Sequence, residues 1–140
     1  MVNISLGFYN TFTMMNISTT SPLPEDQISQ LMRLVGQPSR ILILLAMGER
    51  EVCVCHLEAA LDQRQAFISQ HLKQLRKAGF VIAERRSRHI YYRLANPGLM
   101  DIIQTAARLT GNMDWFDAAQ NSGPLPNCSC PECSGINASC

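Results

Sequence analysis

The apolar residues of this chain repeat every three or four positions over five segments, which is the period of an amphipathic α-helix. The second segment is apolar nearly all round and should therefore form the buried centre of the fold. Gly79 follows the fourth segment and predicts its end, because glycine adopts the left-handed conformation at helix ends at little cost. The segments are residues 25–35, about 39–47, the stretch through Leu57 and Leu61, about 64–78, and the stretch from Pro97 to Leu109.

After Gly79 a period of two replaces the helical period and predicts a β-hairpin. Residues 80–83 are one predicted strand, residues 90–94 are its partner, and the charged stretch 84–89 is the tip. The short turn Asp62-Gln63 joins the two helices that precede this hairpin. This order of elements predicts a mainly α winged helix-turn-helix fold, with the hairpin as the wing.

The length of 140 residues fits one domain with a tail at each end. We predict a disordered lead over residues 1–22, the winged-helix domain over 23–120, and a flexible tail rich in cysteine over 121–140. No apolar run approaches the ~20 residues that cross a bilayer, and no signal peptide is recognisable, so we expect a cytoplasmic protein without a membrane partner. Six cysteines in that compartment are more often metal ligands or redox thiols than structural disulfides.

The basic residues are concentrated in one part of the chain, although the net charge is only +1. Of the 12 Lys and Arg residues, eight lie between Arg64 and Arg93, where Glu84 is the only acid. The rest of the chain therefore carries four basic and ten acidic residues, from the total of 11 Asp and Glu. A basic block in an otherwise acidic chain indicates a polyanionic partner, and the helix-turn-helix pattern predicts that this partner is double-stranded DNA.

The predicted recognition helix and wing supply the candidate DNA contacts. The N-terminal half of a recognition helix meets base edges in the major groove, where Gln pairs with adenine and Arg or Lys pairs with guanine. The basic tip of the hairpin suits phosphates or the minor groove. The candidates are Gln63, Arg64, Gln65, Ser69, Gln70 and Lys73 at the helix, and Arg85, Arg86, Arg88 and His89 on the wing.

Three stretches of the chain resemble the ArsR/SmtB family of metalloregulators: Glu51–Leu57, Ile68–Gly79 and Arg88–Leu94. The resemblance covers about residues 25–110. It implies a homodimeric winged-helix repressor whose terminal helices form the dimer interface and which an inducer releases from its operator. Cys53 and Cys55 resemble the metal box of arsenic, cadmium and lead sensors in the third helix, so the expected inducer is As(III), Cd(II) or Pb(II).

The spacing of Cys53 and Cys55 restricts how the two thiols can share one ion. On a regular helix, side chains two positions apart point about 200° away from each other. In an extended segment they point to the same face. We therefore expect the pair to bind an ion only where the first turn of the third helix is unwound, so that ion binding competes with helix formation.

Two thiolates do not complete such a site, and the tail offers further cysteines at positions 128, 130, 133 and 140. Two arrangements remain open. In one, Cys128, Cys130 or Cys133 of the same or the other protomer completes the site with Cys53 and Cys55. In the other, the tail thiols hold a separate ion or only scavenge metal, since Cys130 and Cys133 have zinc-ribbon spacing. Family members that complete the site with N-terminal cysteines differ from this chain, which has none before Cys53.

The histidines and the thiols also permit other roles. His56 is a possible fourth ligand, whereas His71 is expected to be structural. A thiol-based redox or persulfide sensor on the same fold is the alternative function, with Cys53 or Cys55 pairing with a tail thiol. An enzyme that uses one of these thiols as a nucleophile would need a glycine-rich phosphate loop beside it. The absence of glycine between Gly48 and Gly79 argues against that class.

Overall fold

The computed structural model describes residues 23–120 together with positions 125 and 128. The predicted disordered lead and most of the predicted tail, including Cys130, Cys133 and Cys140, lie outside these residues. The mainly α winged-helix fold is confirmed. The elements are α1 (Pro24–Val35), α2 (Pro38–Met47), β1 (Val52–Cys53), α3 (Val54–Leu61), α4 (Gln65–Lys77), β2 (Val81–Arg86), β3 (His89–Leu94), α5 (Gly98–Leu109) and α6 (Met113–Gln120). None of the described helices is long and apolar enough to cross a bilayer.

The chain divides into two compact units, residues 1–32 and 33–140. The described part of the first unit is residues 23–32, which contain most of α1. Glu25 and Asp26 lie in the first turn of this helix, where carboxylates favour the positive end of the helix dipole. Ile28 and Met32 are 60% and 52% exposed, so the apolar stripe of α1 is left largely uncovered in the single chain.

The second unit is built around α2, as its nearly continuous apolar sequence predicted. Pro38 occupies the start of the helix, one residue before the predicted beginning, where its missing N–H group costs nothing. Leu44 and Met47 are fully buried, and Gly48 ends the helix with a φ of 57°. Leu42, which was expected to be buried, is 41% exposed. Leu42 is exposed because the neighbouring elements cover only part of the circumference of α2.

Arg40 of α2 contacts two other residues of this unit, Leu34 and Gln74. It is only 8% exposed, and its guanidinium donates to the backbone oxygen of Leu34 at 3.0 Å, at the end of α1. The same guanidinium donates to the side-chain oxygen of Gln74 on α4. Because α4 is the predicted recognition helix, this buried side chain fixes its position relative to the centre of the fold.

The wing hairpin of β2 and β3 belongs to a three-stranded antiparallel sheet in the order β1-β3-β2, whereas only the hairpin was predicted. β2 and β3 extend to the pair Arg86 and His89, so the six-residue tip that we expected is a two-residue turn. Ser87 in this turn has a φ of 56°, which tight hairpin turns require at their first central residue. The expectation of a long charged tip was wrong because charged residues also pair across strands when their side chains reach solvent.

α6 was not predicted, and it packs against α2 and α5 through Phe116, which is 2% exposed. The inner stripe of α5 also differs in part from the prediction, since Leu99 and Ile103 are buried but Leu109 is 83% exposed. Trp115 on α6 is 47% exposed and helps to line a cavity of about 480 Å³ with Ile103 and residues around it. An apolar surface therefore remains uncovered near the C-terminal helices.

Candidate metal centre and nucleic-acid interface

The junction between β1 and α3 brings Cys53 and Cys55 together. Cys53 ends β1 with extended backbone angles, φ −85° and ψ 165°, and is the N-cap residue of α3. Cys55 lies in the first turn of the helix, and the two Cα atoms are 5.4 Å apart, a separation that a disulfide can bridge. The two sulfurs are in contact and form a disulfide in this structure, whereas the alternative redox function predicted a disulfide between one of them and a tail thiol. The extended N-cap makes this approach possible without unwinding α3.

Cys128 supplies a third sulfur from the tail. Its side chain is 6% exposed, and the sulfurs of Cys53, Cys55 and Cys128 all lie within 4.8 Å of one another. The backbone N–H of Cys128 donates to the oxygen of Leu125 at 3.1 Å, and Leu125 packs against the cluster with Ala59, Tyr91 and Cys55. Among the residues that the structure describes, these cysteines form the group whose ligand atoms approach closely enough to share one ion.

His56 supports this cluster through its backbone. Its N–H donates to the sulfur of Cys53 at 3.3 Å, which is the side-chain cap of α3. His56 is 4% exposed, and its imidazole is not part of the three-sulfur group, so it does not occupy the position of the fourth ligand that the sequence left possible. Burial, and to a smaller extent the charge of Arg50, lowers the pKa of His56 below its ordinary value. The ring is therefore held in its neutral form.

The donor set determines which ions fit. Once the bond between Cys53 and Cys55 is reduced and the three thiols lose their protons, the thiolates are soft ligands that select soft or borderline ions over magnesium or calcium. As(III), Cd(II) and Pb(II) each need at least three sulfur donors. The three cysteines supply that number, whereas Cys53 and Cys55 alone supply two. Since Cys53 and Cys55 are joined to each other, binding of an ion by both requires prior reduction of that bond.

A cavity of about 260 Å³ adjoins two of the sulfurs and reaches the DNA-reading elements. Cys53, Cys55 and Glu58 line one part of it. Gln65 at the start of α4 and the wing residues Arg88 and His89 line the rest, together with Val54 and Ile90. Events at the thiols therefore occur beside both elements that we expect to contact DNA.

α4 presents the predicted base-reading residues on its outer face. Ile68, Leu72 and Leu75 are fully buried and hold the inner face. Phe67 is 37% exposed and contacts the half-buried His71 edge-to-face, with ring centroids 4.6 Å apart. Both rings lie at the margin of the stripe, because positions i, i+4 and i+7 from Ile68 already fill its centre. Exposed side chains are Gln63, Arg64, Gln65, Gln70 and Lys73, whereas Ser69 is half-buried.

The wing arginines do not share one environment. Arg85 and Arg88 are exposed, and His89 is half-buried beside the cavity. The Arg86 guanidinium contacts the carboxylates of Glu51 and Glu84. These carboxylates raise the pKa of Arg86, and its hydrogen bond to Glu84 lowers the pKa of that carboxyl. Arg86, which was predicted to contact phosphate, therefore contacts two carboxylates in this structure, and its side chain remains 46% exposed.

Sequence reasoning missed several residues that shape the site. Glu51 was read only as part of the thiol motif, and Tyr91 only as part of the wing. The structure pairs Tyr91 with Cys53 across β1 and β3. An alternation of Val52, Val54 and the thiols was the available sign of a short strand, but two residues are too few for periodicity to decide.

The chain is similar to known bacterial transcriptional regulators. A family model described as "Bacterial regulatory protein, arsR family" matches residues 37–83. The HTH-type transcriptional repressor SmtB of Mycobacterium tuberculosis is 41% identical over 86 residues, which are 61% of this chain and 64% of that protein. The chain thus spans less than two thirds of that relative. The arsenic resistance transcriptional regulator ArsR2 of Pseudomonas putida is 38% identical over 88 residues, 61% of this chain and 72% of that protein.

A solved structure also matches the fold. HlyU from Vibrio cholerae superposes with a TM-score of 0.57 and 25% sequence identity, over 64% of this chain and 97% of that one. The shared part is a winged helix with a small antiparallel sheet.

Proposed function

Since the chain belongs to the arsR family of bacterial regulatory proteins, we propose that it is a transcriptional repressor that a thiophilic ion releases from operator DNA. The members of this family are DNA-binding regulators and not enzymes. In the proposal, the chain binds double-stranded operator DNA as a homodimer in the cytoplasm. The inducer is As(III), Cd(II) or Pb(II), held by Cys53, Cys55 and Cys128.

The convergence of three cysteine sulfurs within 4.8 Å is the observation that carries this proposal. It favours the arrangement in which the tail completes the Cys53 and Cys55 site of its own chain. Cys130 and Cys133, outside the described residues, remain candidates for a further donor or for a separate site. The name of the Pseudomonas putida relative, an arsenic resistance regulator, supports As(III) as the first ion to test.

The position of the sulfurs supports a direct effect on DNA binding. β1, which ends at Cys53, is hydrogen-bonded to β3 of the wing. α3, which begins beside the thiols, packs against the recognition helix α4. A rearrangement of the sulfurs around an ion therefore shifts elements that contact both the wing and the recognition helix. This gives one ligand two routes to a state with lower operator affinity.

The experiment titrates the reduced full-length protein, bound to a labelled operator fragment, with arsenite, cadmium and lead. Fluorescence anisotropy follows release, and sulfur-to-metal charge-transfer absorption follows ion binding. We expect Cys53→Ser, Cys55→Ser and Cys128→Ser to bind the operator but to resist release, because a hydroxyl is a poor ligand for soft ions. Cys140→Ser is the matched control. Release of Cys53→Ser or Cys55→Ser at the wild-type ion concentration would contradict the proposal.

A thiol-based redox sensor is the second candidate, because Cys53 and Cys55 form a disulfide in this structure. Oxidation by a peroxide would remove two electrons and two protons from the thiols, form the sulfur–sulfur bond, and reduce the peroxide to two waters. In that case peroxide would release the operator, and a dithiol reductant would restore binding. The metal proposal instead requires release of the reduced protein by ion and recovery with a chelator.

A further inference from the structure

Glu51 and Arg86 join two parts of the sheet that are 35 positions apart in sequence. Glu51 directly precedes β1, and Arg86 ends β2 at the wing turn. The Arg86 guanidinium donates to the two carboxylate oxygens of Glu51 at 2.6 and 3.0 Å. Arg93 on β3 also approaches Glu51, at 3.8 Å. A bidentate contact of this kind fixes direction as well as distance, which a single point contact does not.

Arg86 also lies over the strand residue that touches the thiols. Its guanidinium carbon is 5.4 Å from the centre of the Tyr91 ring, within the range of cation–π contacts. Tyr91 is the β3 partner of Cys53 and packs against the cluster of Cys53 and Cys128. One short series of contacts therefore runs from the sulfurs through Tyr91 to Arg86, and from Arg86 to Glu51 beside the thiols.

We propose that Glu51 and Arg86 are positioning residues that couple the three-sulfur site to the wing. Their contact makes β1 and the wing tip respond together when the sulfurs rearrange. This inference rests on the proposed function, since it concerns how ion binding lowers operator affinity. It assigns Arg86 to the internal coupling of the repressor, while Arg85 and Arg88 remain the wing arginines for phosphate.

The two carboxylates that contact Arg86 have different places in the structure. Glu84 is on the same strand, two residues away, with contacts of 3.0 and 3.2 Å. That contact lies within the wing and connects it to nothing else. Glu51 connects the wing to the strand that carries Cys53. Because exposed ion pairs add little to stability, loss of the Glu51 contact should change the coupling and leave the fold intact.

The test measures operator Kd with and without saturating arsenite, using the reduced full-length protein. The ratio of the two values is the coupling factor. We expect Glu51→Gln to keep the ion-free operator affinity and to lower the factor by about 2-fold to 5-fold, because an exposed ion pair cannot contribute more than its own small interaction free energy. Glu84→Gln is the control and should keep the wild-type factor. Arsenite affinity, measured on free and operator-bound protein, should show the same loss of coupling, because linkage is reciprocal.

The arginines provide a second comparison. Arg86→Gln should lower the coupling factor, whereas Arg85→Gln should weaken operator binding with and without arsenite and leave the factor unchanged. The double variant of Glu51→Gln and Arg86→Gln should have about the same factor as Arg86→Gln alone, since both changes remove one contact. Circular dichroism of each variant checks that the fold is retained.

The outcomes separate this inference from the proposed function. If wild-type protein is not released by arsenite, cadmium or lead, the proposed function fails and this inference fails with it. If the wild type is released and Glu51→Gln keeps the full coupling factor, only the coupling role is overturned. Equal losses in Glu51→Gln and Glu84→Gln would also overturn it, because the effect would then follow surface charge and not the contact between strands.

Discussion

At the scale of the residue, Cys53 combines two roles that its sequence position did not reveal together. It is a candidate ligand, and its sulfur also accepts the N–H of His56 as the cap of α3. Serine is among the preferred N-cap residues but a poor ligand for soft ions. A substitution can therefore separate the cap from the ion site.

We predict that Cys53→Ser keeps the wild-type stability, whereas Cys53→Ala loses about 1 kcal/mol, the usual cost of removing an N-cap side chain. Both variants should lose the response to ion. Urea denaturation of the reduced proteins measures the first effect, and operator release measures the second. Equal stability of the serine and alanine variants would show that the sulfur does not stabilise the helix.

The environment of His71 leads us to predict that the free energy of unfolding depends on pH. Burial, and secondarily the charge of Arg40, lowers the pKa of His71 below its ordinary value of 6.5. Between these two pKa values the unfolded chain binds the proton more readily, so this contribution is present above pH 6.5 and declines as the pH falls towards the folded-state pKa. His71→Gln should therefore lose less stability between pH 7.5 and 5.5 than the wild type does. Urea denaturation at both pH values measures this, and parallel losses would exclude His71 as a source.

At the scale of the element, the exposed face of α4 predicts which residues contact DNA. Gln70→Ala and Lys73→Ala should each weaken operator binding by ~1–3 kcal/mol, because both side chains are exposed on the face opposite Ile68 and Leu72. Ion binding measured by charge-transfer absorption should not change. Lys77→Ala, at the far end of the same helix, is the control. If Lys77→Ala weakens binding more than Lys73→Ala does, the helix enters the groove by its other end.

The sheet that contains the wing differs most from the prediction. Its two long strands were expected, but β1 was assigned to the helix that follows it. β1 forms because Val52 and Cys53 pair with Tyr92 and Tyr91, which lie about 40 positions later. This pairing places a thiol in the sheet that carries the wing, and it is the basis of the coupling that we propose.

At the scale of the whole molecule, the uncovered apolar surfaces support the proposed homodimer. Leu109 and Trp115 are exposed near a largely apolar cavity, and the resemblance to the family places the dimer interface on the terminal helices. We predict that Trp115→Glu shifts the protein towards monomer and lowers operator affinity at least tenfold, since a buried unpaired charge costs more than ~1.4 kcal/mol. Sedimentation velocity measures the first effect, and anisotropy measures the second.

Gln120→Glu is the control, because it adds the same charge on α6 about 140° around the helix from Trp115. It should remain dimeric. A dimeric Trp115→Glu variant with wild-type operator affinity would remove α6 from the interface.

The sequence alone determined the winged-helix fold and most helix boundaries, and it predicted the recognition helix and the roles of Cys53 and Cys55. These follow from local information: apolar periodicity, glycine at helix ends, and charges clustered within one stretch. It left open which tail thiol approaches the pair, and it did not predict β1, α6 or the contacts of Arg86. Such features depend on which distant segments meet, as Cys128 meets Cys53 and Glu51 meets Arg86. Only the tertiary structure decides those meetings, because they arise from packing and strand pairing between residues whose own sequences favour several partners equally.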